Sequence, residues 1–261
     1  MKIMGIINLT PDSFYTSSRF ESHNVNDVID SFVREGVDII DIGAESSRPG
    51  SNPISENEEL ARLEPIFDLV KKHSKIKFSI DTYKSNVAEI CLKNGFHYVN
   101  DIYSGKKDDR IFSLVKRYNA KIILMHMRGN PKTMQSNTSY SNIINEINIF
   151  FEKRIKIALD FGVHLKNIVI DPGLGFGKNK NDNFKIMNNI HSFKKHNIPV
   201  LVGHSRKSFL SVNDDLAEDR LTGTIVATTI AFQNGTDIIR VHDIKETKKC
   251  IDIYKQFLKN K

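Results

Sequence analysis

Apolar residues in this chain gather into eight short runs, nearly all ending in a polar residue or a glycine. The runs are Ile3–Asn8, Val37–Asp41, Ile76–Asp81, His97–Asp101, Lys121–His126, Ile168–Asp171, Val200–Gly203 and Asp237–His242. Stretches such as Ile122-Ile123-Leu124 are continuous rather than alternating, as in parallel strands buried on both faces. Between the runs, apolar residues recur at three- and four-residue steps. This spacing predicts helices over Val25–Glu35, Glu56–Lys72, Ser85–Asn94, Asp108–Tyr118, Tyr140–Phe161, Asn183–His196, Ala217–Asn234 and Lys245–Leu258. Gly36, Gly95, Gly162 and Gly235 follow the last apolar turn of four of them, where a left-handed cap stops a helix. Eight strands alternating with eight helices predict an α/β fold, a (β/α)8 TIM barrel in a single domain. A doubly wound open sheet is the alternative, and polar residues at nearly every strand end favour the closed barrel.

Composition narrows this picture. A length of 261 residues is ordinary for an α/β barrel, and 39% hydrophobic with 26% charged residues is a soluble globular balance. The formal net charge of +7 could reflect an anionic partner. Lys and Asn are spread over the whole chain and Trp is absent, so compositional drift accounts for most of the excess. No basic stripe with interleaved aromatics appears, so no nucleic-acid partner is expected. No apolar run reaches spanning length and no signal-peptide pattern is present, so no membrane partner and a cytoplasmic location are expected. Cys91 and Cys250 lie far apart on predicted helices, outside any metal-spaced cluster. They read as small buried hydrophobes in a reducing compartment.

The chemistry sits at the strand ends. Asn8, Asp41, Asp81, Asn100 with Asp101, His126, Asp171, Gly203 and the pair Arg240/His242 would converge on one barrel mouth. Carboxylates and amides on several walls suit a flat heterocycle with a donor–acceptor edge, and neighbouring Lys, Arg and His suit an anionic group on it. Arg240 and His242, two apart, face the same side of their strand. An Arg in an apolar strand is costly unless paired, so Arg240 requires either a bound anion or a carboxylate partner. Two long connections, Thr10–Asn24 and Gly43–Ser55, are rich in Ser and in Pro or Gly, and Arg48 in the second could swing over an anion. Asp171-Pro172-Gly173-Leu174-Gly175-Phe176-Gly177-Lys178 brings backbone close to a ligand and offers Phe176 as a flat face, without P-loop spacing. In Gly203-His204-Ser205-Arg206-Lys207, Lys207 could pair with Asp171 across the mouth.

Taken in order, these motifs closely resemble the dihydropteroate synthase family of the folate pathway. The resemblance runs from Met4 to about Tyr254. It is carried by Asn8-Leu9-Thr10-Pro11-Asp12-Ser13-Phe14, Gly43-Ala44-Glu45-Ser46-Ser47-Arg48-Pro49-Gly50, Ile80-Asp81-Thr82, Val99-Asn100-Asp101-Ile102, Met125-His126-Met127, Asp171 to Lys178, Ser205-Arg206-Lys207-Ser208 and Arg240-Val241-His242-Asp243. It implies condensation of 6-hydroxymethyl-7,8-dihydropterin diphosphate with p-aminobenzoate, giving 7,8-dihydropteroate and pyrophosphate. By motif, Asp81, Asn100, Asp171, Gly203 and Lys207 would hold the pterin, with Ile102 and Met125 on its faces. Asn8, Arg48, Arg240 and His242 would hold the pyrophosphate with Mg²⁺, Asn8 being the metal ligand. Ser47, Arg48, Pro49, Phe176, Ser205 and Lys207 would line the p-aminobenzoate side. Asp81, Asp171, Lys207, Arg240 and His242 would carry the chemistry, and the family resemblance implies a homodimer formed through late helices.

The chain departs from the family pattern at four places. Tyr15-Thr16-Ser17-Ser18 replaces a usual Ser-Asp-Gly-Gly, and Ala44 and Ser47 replace a usual Gly and Thr. His204 stands where an apolar residue is common, and the sequence opens at the first strand without the family's short N-terminal hairpin. Three other readings compete: a corrinoid-type pterin-binding methyltransferase domain, a metal-dependent hydrolase using His126, Asp171, His204 and His242, and a pterin-binding protein without turnover.

Overall fold

The computed structural model describes residues 1–9 and 25–260. The Thr10-Pro11-Asp12-Ser13-Phe14 segment, the Tyr15–Ser18 departure and the Thr10–Asn24 connection lie outside the described residues. The strands are β1 (Lys2–Asn8), β2 (Ile39–Gly43), β3 (Lys77–Asp81), β4 (Tyr98–Asp101), β5 (Lys121–Met125), β6 (Ile168–Asp171), β7 (Leu201–Val202) and β8 (Ile238–Val241). They are parallel, in the order β6-β5-β4-β3-β2-β1-β8-β7. The two ends of that order meet: Val200 bridges Ile170 in parallel, and the Ile170 amide donates to the Pro199 carbonyl at 3.0 Å. This joint closes the ring into a barrel and excludes the open doubly wound sheet.

The joint also explains why β7 is shorter than the Val200–Gly203 run predicts. Pro199 has no amide to give the ladder. The Val200 amide is taken by the Asp237 carboxylate at 2.7 Å.

Helices α1 (Val25–Glu35), α2 (Glu56–Leu63), α3 (Phe67–Lys72), α4 (Ser85–Lys93), α5 (Arg110–Arg117), α6 (Ile143–Asp160), α7 (Lys180–Asn188), α8 (Leu221–Gln233) and α9 (Ile244–Lys259) surround the barrel. The single helix predicted over Glu56–Lys72 is broken by a 3-10 turn, Glu64–Ile66. Pro65 within it lacks the amide that a continuous helix needs. Asn179 caps α7 by accepting the Asp182 amide at 2.9 Å, so this helix starts before the predicted Asn183, and its continuation, Ile190–His196, is 3-10. Gly36, Gly95, Gly162 and Gly235 all take positive φ, as the stop signals require.

Two apolar layers position the mouth. The larger one lies between the sheet and the helices. The smaller fills the barrel with Met4, Ile39, Tyr98, Ile123, Val169, Leu201 and Ile238, one from each of seven strands. Cys91 is buried, whereas Cys250 is half-exposed on α9 with its sulfur 3.3 Å from Thr229 Oγ1, which corrects its reading as a buried hydrophobe. Among the described residues no helix is long and apolar enough to cross a membrane.

Candidate active site

Side chains on one face of a strand repeat every two residues. Two steps up from the apolar plug, the same inward face presents Asp41, Asn100, Met125, Asp171, Gly203 and Arg240; β3 adds Asp81. Arg240 occupies the centre. Its Nε donates to Asp41 Oδ2 at 2.6 Å and its Nη2 to Asp81 Oδ2 at 2.9 Å. Asn100 Nδ2 adds a bond to Asp41 Oδ2 at 3.0 Å. Asp41 is fully buried, so this network is a buried charge cluster, two carboxylates on one guanidinium, built into the floor of the mouth. Of the two partners open to Arg240 on sequence grounds, the structure supplies carboxylates. Burial raises the Asp81 pKa to about 7 against the opposing pull of Arg240, and Asp41 pushes it further up. Asp81 therefore stands between its two protonation states near neutral pH.

On the opposite wall, Asp171 is buried, its pKa raised by desolvation, and its Oδ1 accepts the Gly173 amide at 2.7 Å. The following loop is held from below by Lys178, which is 3% exposed. Lys178 Nζ donates to the carbonyls of Gly173 (2.8 Å), Phe176 (3.0 Å) and His126 (3.2 Å) and sits 3.0 Å from His126 Nδ1. Gly173 is obligatory: its φ is +66° and a Cβ would lie 2.1 Å from the His126 carbonyl oxygen. Lys207 does not pair with Asp171. Its Nζ donates to the Leu174 carbonyl and rests 4.7 Å from the Phe176 ring centroid. Burial nevertheless lowers its pKa to about 8, partly offset by the nearby Asp171 charge.

The rim is built from the loops after β7 and β8. Ser205 Oγ lies 3.0 Å from His242 Nδ1 and accepts the His242 amide at 3.2 Å. Arg206, at φ +56°, forks onto the Asp243 carboxylate with its Nε at 2.9 Å, tying the two loops together. Desolvation and then Arg240 lower the His242 pKa to about 4, with Arg206 and Arg48 adding to the effect, although the residue is exposed. Arg48 and Pro49 are exposed and Ser47 half-buried. A pocket lined by Glu45, Ser46, Ser47, Asp81, Tyr83 and Ile102 joins that loop to the floor acid. A fourth wall is apolar: Ile102, Met125, Met127 and Met134 cluster, with Tyr83, Tyr103 and Phe176 packed on them.

Asn8 closes the ring on β1. Gly43 faces it without a side chain, at a point where a Cβ would lie 3.6 Å from Asn8 Oδ1 and 3.7 Å from Asp81 Oδ2. This leaves an oxygen-lined cradle whose donors are hard, as Mg²⁺ requires, and Mg²⁺ takes its remaining ligands from substrate phosphate and water. The residues present fit the ion in that role. His126 and His204 do not face the mouth as ligands: His126 is committed to Lys178, and buried His204 bonds Thr228 Oγ1 at 2.9 Å. Among the described residues no three His, Cys, Asp or Glu side chains cluster for a metal.

Every site residue read from the sequence therefore reaches the same end of the barrel. Lys178, Tyr83, Tyr103, Met127 and Met134 were not among them. The signal for Lys178 was available in its place at the end of a glycine-rich loop, where carbonyls crowd together and need a donor.

The chain matches a family model described as pterin binding enzyme over residues 4–242. It is 40% identical over 254 residues to a dihydropteroate synthase of Clostridium beijerinckii, covering 95% of this chain and 90% of that protein. The Yersinia pestis dihydropteroate synthase in a sulfonamide drug complex superposes with a TM-score of 0.92 at 34% identity, covering 99% of this chain and 94% of that one. The Burkholderia cenocepacia enzyme complexed with 7,8-dihydropteroate gives a TM-score of 0.87 at 30% identity, with coverages of 99% and 92%.

Proposed function

The chain belongs to the pterin-binding enzyme family, and on that premise we propose how its strand ends divide the work of a dihydropteroate synthase. It is a transferase of folate biosynthesis. The p-aminobenzoate nitrogen forms a bond to the pterin methylene carbon and gives up one proton to solvent, the C–O bond to the diphosphate breaks, and pyrophosphate leaves with that bond's electron pair.

The observation that supports the residue assignment is the convergence of Asp81, Asn100, Asp171 and Arg240 in one layer of the mouth. Asp81, Asn100, Asp171 and Lys207 hold the polar edge of the pterin, Gly203 leaves it room, and Ile102 and Met125 cover its faces. The C–O bond ionises first, giving a cation delocalised into the electron-rich dihydropterin. Asp171 favours that cation, and the charges of Lys207 and Arg240 oppose the upward pull of burial on the neighbouring carboxylates. Arg48, His242 and the outer edge of Arg240 receive the negative charge that grows on the leaving group. Where the Ser205 hydroxyl donates to His242 Nδ1, the ring has Nε2–H to offer that anion. Asn8, together with the diphosphate, would hold Mg²⁺, which would supply further charge neutralisation there. Ser47, Arg48, Pro49, Phe176, Ser205 and Lys207 take the p-aminobenzoate side, and its amine attacks the cation without needing a strong base.

We further propose a cytoplasmic homodimer. Its face is α8 and α9, which leave Val226, Ile253, Phe257 and Leu258 exposed. Light scattering of the purified chain reads the mass directly.

The test of function is pyrophosphate release from the pterin diphosphate, with and without p-aminobenzoate and Mg²⁺. Release with stoichiometric dihydropteroate supports the reading. Pterin binding without release would mean a binding protein that has lost turnover. A methyltransferase has no use for an anion site at Arg48 and His242.

A further inference from the structure

We propose that Lys84 is a positioning residue for the p-aminobenzoate half-site, its ammonium stapling shut the neck of the loop that runs from Glu45 to Ile54. Lys84 lies in the turn between β3 and α4 and is 9% exposed. Its Nζ donates to Glu45 Oε2 at 2.5 Å, to Glu59 Oε2 at 2.6 Å and to the Ile54 carbonyl at 2.9 Å. Glu45 opens the loop and Ile54 lies near its end. The Ile54 amide also donates to Glu45 Oε2 at 3.2 Å, so both ends of the loop meet at one cation. Glu59, on α2 and 1% exposed, anchors that cation to the helical layer. Among the described contacts, the rest of the loop is held by a local turn and one tether: Ser51 Oγ bonds the Ser46 carbonyl at 2.6 Å, the Ser51 amide the Arg48 carbonyl at 3.1 Å and the Arg48 amide Ser46 Oγ at 3.4 Å, while only the Gly50 amide, on the Pro131 carbonyl at 3.1 Å, reaches outside the loop. The presentation of Ser47, Arg48 and Pro49 is therefore set at the neck.

The geometry also links the two half-sites. Asp81, Thr82, Tyr83 and Lys84 are consecutive, and the turn is pinned by the Thr82 amide on the Asn100 carbonyl (3.1 Å) and the Lys84 amide on Thr82 Oγ1 (3.2 Å). The same turn thus carries the floor acid at one end and the staple at the other. With the staple removed, the loop samples open forms, and the affinity it confers falls by the fraction of chains still competent to bind. The floor network of Arg240, Asp41 and Asp81 does not use Lys84 and stays intact.

The proposal rests on the reading that this loop lines the p-aminobenzoate side. The experiment compares Lys84→Met, Lys84→Arg, Glu45→Gln and, as a control on that reading, Ser47→Ala, in the whole protein. KM is measured for each substrate, and amide hydrogen exchange is followed over residues 46–52. Lys84→Met should raise the KM for p-aminobenzoate at least tenfold, leave that for the pterin diphosphate within twofold, and speed exchange across the loop. Lys84→Arg, which can still serve all three acceptors, should recover most of the loss. Glu45→Gln keeps the volume and one side of the staple, and should show the same split at three- to tenfold; it carries the test if Lys84→Met does not fold. An equal rise in both KM values, or a rise with no rescue by Lys84→Arg, would mean a merely structural lysine and overturn the proposal. A Ser47→Ala effect on p-aminobenzoate beside a silent Lys84→Met overturns the staple alone. Silence in all four variants overturns the reading of the loop, and the proposal with it.

Discussion

Replacing Arg240 with Met tests whether the floor of the mouth is a structural charge cluster as well as an anion site. Arg240 holds Asp41 at 2.6 Å and Asp81 at 2.9 Å, and Asp41 has no exposed surface. Deleting one partner of such a buried pair leaves uncompensated charge and costs about 3–5 kcal/mol. At roughly 2–4 °C per kcal/mol for a chain of this size, Tm should fall by about 6–20 °C. The loss has a pH signature. Asp81 already titrates at about 7 in the folded protein, above its ordinary value of 3.8. The folded state therefore binds more protons than the unfolded one, and stability drops as pH rises between those values. Without Arg240 the folded pKa moves higher still, so the deficit should widen between pH 7 and pH 9 and narrow toward pH 5. Thermal denaturation across that range reads the effect, and pyrophosphate release reads turnover, which should fall by orders of magnitude. The double variant Arg240→Met/Asp81→Asn should regain only the share of stability lost at Asp81, because Asp41 stays buried without its cation, and should not regain turnover. A Tm within 2 °C of the parent (roughly 1 kcal/mol or less), flat with pH, would refute the charge-cluster reasoning.

Other parts of the site give independent checks. Lys178→Met orphans the carbonyls of Gly173, Phe176 and His126. At about 1–3 kcal/mol for a buried unpaired group, it should lower stability by at least ~2 kcal/mol and weaken pterin binding in calorimetry. Gly173→Ala places a Cβ 2.1 Å from a carbonyl oxygen at positive φ, and should abolish pterin binding or folding, seen as lost retention or soluble yield. Burial holds His204 neutral, with its pKa lowered to about 4 from 6.5. The folded state then binds fewer protons between those values, so stability is lost as pH falls from 6.5 toward 4, by ~3 kcal/mol at most. His204→Leu should flatten that acid limb in urea titrations by up to one proton while leaving turnover at pH 7.5 near parental.

The alternation of strand side chains made much of this site legible. Asp171 and Arg240 each close or nearly close an apolar run, so their shared height in the barrel follows from the count of two, and so does the pairing of Arg240 with His242. What Arg240 touches did not follow. A buried arginine demands a negative partner, but only the pairing of β8 with β1, beside β2 and β3, brings Asp41 and Asp81 to it from 199 and 159 residues away. The shortness of β7 was hidden for the same reason, since the Asp237 side chain that claims the Val200 amide is 37 residues distant. Lys178 stands in sequence as the last residue of a glycine-rich loop, and its burial depends on the loop folding back over it. Pro65 was visible within the apolar periodicity of Glu56–Lys72, which outweighed its local veto on a continuous helix.

The most direct measurement is a crystal structure of this chain with a pterin, p-aminobenzoate and Mg²⁺-pyrophosphate bound together. The account predicts the pterin edge on Asp81, Asn100, Asp171 and Lys207, the pyrophosphate on Asn8, Arg48, Arg240 and His242, and p-aminobenzoate between Phe176 and the Ser47–Pro49 loop. A pterin bound elsewhere, or a pyrophosphate that leaves Arg240 and His242 untouched, would contradict it.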